Sequence, residues 1–302
     1  MIGRIVEVAS DGTHLATKRG FMTVSRDGAQ VGRIALDDIA ALVINCHGAT
    51  WSANLTTRMS ERGTPIVVCG SNHAPVALVW PIDGHHEQGR HMQAQAEASL
   101  PTRKRLWQAL VRAKITAQAD AVDAFGENST GIRRLVKTVR SGDPGNIESL
   151  AARRYWPLMM GGEFRRDRNA SGVNSMLNYG YTILRSATAR SIVAAGLHPS
   201  LAIHHQSRGT ALRLADDLME PFRPLVDGTV RRLIAKAGDG LDRDSKSALA
   251  KVTIMDLEGP KGASPLQTCL DRLATSLAQV YMKKRSDLEL PGPPLALFRH
   301  LL

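Results

Sequence analysis

The sequence predicts an α+β protein with a small β-rich N-terminal domain and a larger all-α domain behind it, and three observations carry that prediction. Short β-branched and aliphatic runs separated by Gly, Asp and Asn fill the first eighty or so positions. Apolar residues then recur at three- and four-residue steps from Pro101 onward. Between the two patterns, "PIDGHHEQGRHM" is polar and turn-rich. The expected boundaries are residues 1–83 for the β domain, 84–95 for a linker and 96–302 for the helical domain.

The strands are read from "GRIVEVA", "THLATKRG", "FMTVS", "AALVINC", "TPIVVCG" and "APVALVWP". One helix interrupts them. In "SANLTTRMSERG", Ser52 is a suitable N-cap and Gly63 a suitable C-cap. The helical half begins with a stripe of Leu106, Leu110, Ala113, Ala117 and Ala121, from which Lys104, Arg105 and Arg112 fall away. Further helices are expected at about 130–140, 147–158, 171–195, 211–236 and 265–284. There is no internal repeat, and "LPGPP" near the end is too short for more than an extended segment.

A chain of 302 residues with 43% hydrophobic content has enough apolar material for a full core. No apolar run reaches the roughly 18 residues that span a bilayer. The acid in "MIGRIVEVAS" argues against a signal peptide, so a cytoplasmic protein without a membrane association is expected. Three cysteines, Cys46, Cys69 and Cys269, show no CxxC pairing and read as buried free thiols.

The charge balance is informative. There are 39 Lys+Arg against 28 Asp+Glu, a net +11. Residues 1–85 contain seven of each sign, so the whole excess lies in the helical half. A polyanion is the natural partner of such a surface, although a solvated basic surface is an equally common outcome.

The chemistry concentrates in "HHQSRGTALRLADDLMEPFRP", residues 204–224. Ala211, Leu214, Ala215, Leu218 and Phe222 form an apolar stripe, which leaves Asp217 and Glu220 together on another face. Asp216 and Glu220 share a face equally well. Pro221 removes a helical hydrogen bond and is placed to kink the chain beside Glu220. Two carboxylates with His204 or His205 make a mixed N/O donor set suited to Mn²⁺, or to Mg²⁺ completed by water and phosphate oxygens. The bland alternatives are a hydrogen-bonded imidazole and a solvated acidic face.

These residues carry a resemblance. "NSMLNYGYTILRSATARSIVAAGLHPSLAIHHQSRGTALRLADDLMEPFRPLVD", with "PTRKRLWQALVRAKITAQA" and "GNIESLAARRYW" upstream, resembles the CRISPR-associated integrase and nuclease Cas1, in the form found in type II systems beside a Cas9-type effector. The resemblance implies a metal-dependent DNA endonuclease and integrase of CRISPR adaptation. Such an enzyme inserts short fragments into the array by 3′-hydroxyl attack on a phosphodiester. It implies Glu148, His205 and Glu220 as catalytic metal ligands for Mg²⁺ or Mn²⁺, with Asp217 as an adjunct. Without the resemblance, Glu148 reads simply as an acid in the first turn of a helix. Ala202 and Thr210 stand where such proteins often have glycine and asparagine.

The partners implied are double-stranded DNA, a second copy through the β domain, and a Cas2 dimer in a heterohexamer of four and two chains, with the Cas9-type effector as a further candidate. Phosphate contacts are expected from Arg153, Arg154, Arg165, Arg166, Arg168, Arg208 and Arg223. Tyr155, Trp156 and His198 read as structural. Two rival classes remain: a non-catalytic basic DNA-binding module, which would need no metal, and a helical metal phosphohydrolase, which would not lose activity steeply with salt.

Overall fold

The computed structural model describes residues 4–70, 75–82, 84–205, 211–259 and 262–295. Arg208 and Thr210 lie outside them. The N-terminal half holds two four-stranded sheets. One has the order β1–β5–β7–β8, from Arg4–Val8 (β1), Ile39–Ile44 (β5), Ile66–Cys69 (β7) and Pro75–Val79 (β8). β1, β5 and β7 run parallel, with β8 antiparallel at the edge. The other has the order β4–β3–β2–β6, from Thr13–Lys18 (β2), Phe21–Arg26 (β3), Ala29–Ala35 (β4) and Thr50–Trp51 (β6).

β5 explains how the halves meet. All six of its residues are buried, as expected of a central strand covered on both faces. Leu42 and Ile44 join Leu15, Met22, Leu55 and Met59 in the core shared with the second sheet and helix α1 (Ala53–Ser60). Val43 points the other way, packing with Val67 and Cys69, on a strand that lies against helix α6 (Val173–Ala194). Glu7 on β1 accepts from Asn45 Nδ2 at 2.6 Å and from the Tyr179 hydroxyl of α6, tying sheet to helix. Ser52 caps α1, accepting from the Leu55 N–H at 3.2 Å. The helix stops at Ser60, before Gly63, which closes the following turn at φ 63°.

The stretch expected to be a linker carries a helix instead, α2 (Gln88–Ala96). Tertiary contacts order this polar sequence. His91 Nδ1 lies 2.8 Å from the Ala195 carbonyl. Gln95 accepts from the His198 N–H and donates to the carbonyls of His198 and Leu201, clamping the loop that leads to the histidine doublet. The helical half continues with α3 (Leu100–Ala124), α4 (Thr130–Val136), α5 (Ile147–Met160) and α6. After it come α7 (Arg213–Leu218), a 3₁₀ turn at Glu220–Phe222, α8 (Arg223–Ala237), α9 (Arg243–Ala250), the short strands β9 (Asp256–Leu257) and β10 (Ser264–Pro265), and α10 (Leu266–Tyr281).

α6 is buried around most of its circumference, which makes it the central helix of the bundle, packed by α7, α8, α9 and α10. Gly180 permits one of these approaches: a Cβ there would lie 2.5 Å from Val226 Cγ1 on α8 and 3.2 Å from Leu249 Cδ2 on α9. The chain does break beside Pro221, where the 3₁₀ turn separates α7 from α8 and redirects Glu220. Cys69 and Cys269 are buried and Cys46 half-buried, all as free thiols. Among the described residues, no helix is long and apolar enough to cross a membrane.

Candidate active site

Four elements meet around the carboxylates: α3, the first turn of α5, the loop after α6, and the α7–3₁₀ segment. α5 begins where Asp143 caps it, its carboxylate accepting from the N–H groups of Ile147 and Glu148 at 2.9 and 3.0 Å. With those donors already taken, the Glu148 side chain is available for other contacts. Its Oε1 accepts from Lys114 Nζ of α3 at 2.6 Å. The same ammonium lies 2.5 Å from Glu220 Oε2, so one lysine bridges two carboxylates that are 72 residues apart in the chain.

Glu220 is nearly enclosed, its side chain 5% exposed. Its Oε1 accepts from Arg223 Nε at 3.0 Å, and the Arg223 guanidinium sits over the Tyr181 ring at 4.7 Å. Burial alone would raise the Glu220 pKa, but Arg223 and Lys114 outweigh it and hold the carboxyl down at about 2. Burial likewise works against the Lys114 charge, and Glu220 and Glu148 reverse it, leaving the pKa raised. Glu220 Oε2 is buried, and the Lys114 ammonium at 2.5 Å is its partner.

The histidine doublet divides in two. His204 stacks face to face on Trp107 of α3, with ring centroids 4.3 Å apart and planes 2° from parallel. His205 meets the same indole edge-on and turns its Nδ1 to Asp217 Oδ1 at 2.6 Å. Asp217 is wholly buried. Its oxygens also accept the backbone N–H groups of Ile203, His204 and His205 at 2.7, 3.0 and 3.3 Å. This carboxylate therefore shapes the loop and fixes the imidazole, directing the Nε2 lone pair away from itself. The hydrogen bond to Asp217 raises the His205 pKa against the opposing effect of burial. Asp216, the other aspartate compatible with the spacing, pairs with Arg185 at 2.7 Å instead.

The structure thus gathers Glu148 and Glu220 around one cation, with His205 close enough for its charge and that of Glu220 to influence each other. As the side chains stand, no three His, Cys, Asp or Glu among the described residues converge at metal-holding distance. The donor chemistry nevertheless fits a divalent cation. Glu148 and Glu220 offer hard carboxylate oxygens that already share a positive charge, and Asp217 holds His205 with one nitrogen outward.

The arginines separate by environment. Arg153, Arg154, Arg165 and Arg168 are exposed. Of these, Arg154 reaches the Gly131 carbonyl, and Arg165 those of Gly162 and Phe164. Arg166 turns inward to Asn174 and Asn178, and Arg223 to Glu220. A cleft of about 200 Å³ opens beside the doublet, lined by His204, His205, Arg103 and Arg213. A larger cavity of about 500 Å³ lies between α3, the Pro221–Leu225 turn and residues 290–294, and none of Glu148, His205 and Glu220 lines it. Tyr155 is a core residue whose hydroxyl donates to Asp227, and Trp156 packs beside Phe164. His198 accepts the Ser200 N–H and meets Trp80 edge-on.

Lys114 and Trp107 were not among the sequence candidates. The signal was present, since positions 107, 111, 114 and 118 fall on one buried helical face, where a lysine needs anionic partners.

This architecture defines a class: a β-flanked helical bundle with buried carboxylates, a carboxylate-held histidine and bridging cations at its polar centre. The chain belongs to the Cas1 family, because the family model "CRISPR associated protein Cas1" matches residues 6–242. It is 35% identical over 74% of its length to the CRISPR-associated endonuclease Cas1 of Neisseria meningitidis, covering 73% of that protein. It is 29% identical over 82% of its length to a Cas1 of Pyrobaculum aerophilum, covering 88% of that chain. Among solved structures, a casposase bound to its integration product superposes with TM-score 0.77 at 17% identity, covering 95% of this chain and 92% of that one. The Thermotoga maritima Cas1 gives 0.74 at 15%, covering 92% and 97%. The latter two likenesses show a shared α+β fold.

Proposed function

We propose that this protein is a metal-dependent DNA endonuclease and integrase of CRISPR adaptation, in which Glu148, His205 and Glu220 hold Mg²⁺ or Mn²⁺. The observation that carries the reading is the Glu148–Lys114–Glu220 bridge, a carboxylate pair built around a cation. Family membership supports the same reading, since relatives are named CRISPR-associated endonucleases.

A bound divalent ion would supply Lewis-acid stabilisation of charge on a phosphodiester and lower the pKa of an attacking hydroxyl. The chain's own residues do the rest. Asp217 keeps His205 in the tautomer that leaves Nε2 available, and Arg223 holds the Glu220 carboxylate in place. The exposed Arg153, Arg154, Arg165 and Arg168, with Arg208, bind DNA phosphates and set the register of the duplex. Phosphoryl transfer then depends on positioning a 3′-hydroxyl in line with the target phosphodiester. Hydrolysis is the same displacement with water as nucleophile.

The reading extends to the assembly: a cytoplasmic homodimer formed through the β domain, two of which are bridged by a Cas2 dimer into a heterohexamer of four and two chains. The helical domain, from residue 96 onward, carries the chemistry. A complex of Cas6-RT-Cas1 with Cas2 is among the structural neighbours, at TM-score 0.75 and 19% identity over 95% of this chain and 36% of that one. We assign the protein to the type II form, beside a Cas9-type effector.

The test is strand transfer of a short duplex into supercoiled plasmid in the presence of the partner, with and without Mn²⁺ or Mg²⁺. Wild type should join DNA only with metal, and His205→Ala and Glu220→Gln should bind DNA without joining it. Joining by both variants at the wild-type rate would return the cluster to a structural role and favour the non-catalytic DNA-binding alternative.

A further inference from the structure

Lys114 sits where two carboxylates converge, 2.6 Å from Glu148 Oε1 and 2.5 Å from Glu220 Oε2, with only 12% of its side chain exposed. It is the sole contact between the two acids that the chain provides through a single side chain among the described residues. Its position is fixed by α3, whose Trp107, two turns earlier on the same face, supports the histidine doublet. One helix that contributes none of the expected ligands thus organises both sides of the site.

The charges around the bridge are already matched. Glu220 is held by Lys114 and Arg223, Glu148 by Lys114, Asp216 by Arg185, and Asp217 by three N–H groups and His205. A divalent ion entering between Glu148 and Glu220 would meet an ammonium sharing the same oxygens. Like charges a few ångströms apart in a partly buried site repel strongly. The ion and the ammonium are therefore competitors for one position. An ammonium on a flexible four-carbon stem can leave it at low cost only if another anion receives it. A DNA phosphate is such an anion, since lysine binds phosphate as a point charge without a demanding geometry.

We infer that Lys114 is a built-in cation of the site, holding Glu148 and Glu220 together until a DNA phosphate draws its ammonium away, so that divalent metal and DNA bind cooperatively. This rests on the metal reading above and adds to it a coupling between the two ligands. Lys114 is a positioning residue in the free protein and a phosphate contact in the complex. The device keeps the buried carboxylates paired and discourages metal uptake when no DNA is present.

Mn²⁺ binding measured by the electron paramagnetic resonance signal of the free ion, on the full chain with and without a saturating duplex, tests the inference. In wild type, duplex should tighten Mn²⁺ binding by about tenfold or more, a normal coupling between sites. Lys114→Met removes the competing charge while keeping the stem. It should bind Mn²⁺ about tenfold more tightly than wild type without DNA, and respond to duplex by less than about threefold. Circular dichroism checks that the variant is folded. Lys114→Arg keeps a charge in the site if the methionine variant does not fold, and should leave Mn²⁺ binding as weak as in wild type without DNA. Methionine-variant binding no tighter than wild type, or an unchanged response to duplex, would overturn the inference while leaving the metal reading intact. If neither wild type nor Lys114→Met takes up Mn²⁺ with or without DNA, both fall together.

Discussion

Asp217 Oδ1 lies 2.6 Å from His205 Nδ1, while the Asp217 carboxylate also gathers three consecutive backbone N–H groups from Ile203 to His205. One buried acid thereby determines both the path of the loop and the orientation of the ring. Asp217→Asn keeps the size but turns an N–H toward donors that need an acceptor. The variant should lose about 2–3 kcal/mol of stability in urea unfolding, the cost of leaving buried donors unpaired. With His205 as a metal ligand, as proposed, strand transfer should fall by about 10- to 100-fold, because the partner that orients its ring is weakened. Unchanged stability would contradict the buried geometry.

Asp227 gives a pH dependence. It accepts from the hydroxyls of Tyr155, at 2.8 Å, and Tyr181, and burial pushes its pKa up to about 6 against those hydrogen bonds and the nearby Arg223. An unfolded aspartate titrates near 3.9. The folded chain therefore keeps this proton to higher pH than the unfolded chain, and the stability it brings, fully present below about pH 4, is lost as pH rises toward about 6. The loss is on the order of 3 kcal/mol for a shift of about two units. Urea unfolding of Asp227→Asn across that window should lack this component, and an identical pH profile in variant and wild type would contradict the assignment.

Gly180 tests the packing of the bundle. Alanine would place Cβ 2.5 Å from Val226 Cγ1. The overpacking penalty of about 1–3 kcal/mol exceeds the roughly 1 kcal/mol gained from helix propensity. Thermal unfolding of Gly180→Ala should show a lower Tm, and an increase would mean that α6 and α8 are not in close approach.

The arginines should separate in a salt titration of DNA binding. Neutralising Arg153 or Arg168, which are exposed, should reduce the slope of log affinity against log salt by about one each and leave stability unchanged. Arg166→Gln and Arg223→Gln should lower stability instead, because both guanidinium groups are committed to internal partners. A loss of slope without a loss of stability at Arg223 would contradict its inward orientation.

What was legible in the sequence follows from the strength of each local pattern. β5 and β7 could be read because "AALVINC" and "TPIVVCG" are continuous apolar runs, as central strands covered on both faces require. β4, "AQVGRIA", and the two-residue β6 leave no signal in the sequence, one being Gly-interrupted and mostly solvent-facing, the other too short for any periodicity. α9, eight residues long, carries only two buried positions and left no stripe to find. α2 looks like a linker in the sequence because its polar residues are ordered by distant partners, Ala195 and His198, which local composition does not contain.

The site was legible in the same uneven way. His205, Asp217 and Glu220 fall within 16 residues and announce themselves. Spacing does not report burial: a solvated acidic face is the bland alternative for such acids, and Asp217 is wholly enclosed. Glu148 came only through the resemblance, because an acid in a helix first turn has an ordinary explanation. Lys114, the residue that joins the two glutamates, carries no motif at all.

Glu148, His205 and Glu220 are proposed to form one divalent-metal site. Anomalous diffraction at the manganese edge from crystals grown with Mn²⁺ and a duplex measures this most directly. The expected result is a single strong peak bounded by the Glu148 and Glu220 carboxylates and His205 Nε2, with the Lys114 ammonium moved off the pair. No peak there, with Lys114 still bridging Glu148 and Glu220, would contradict it.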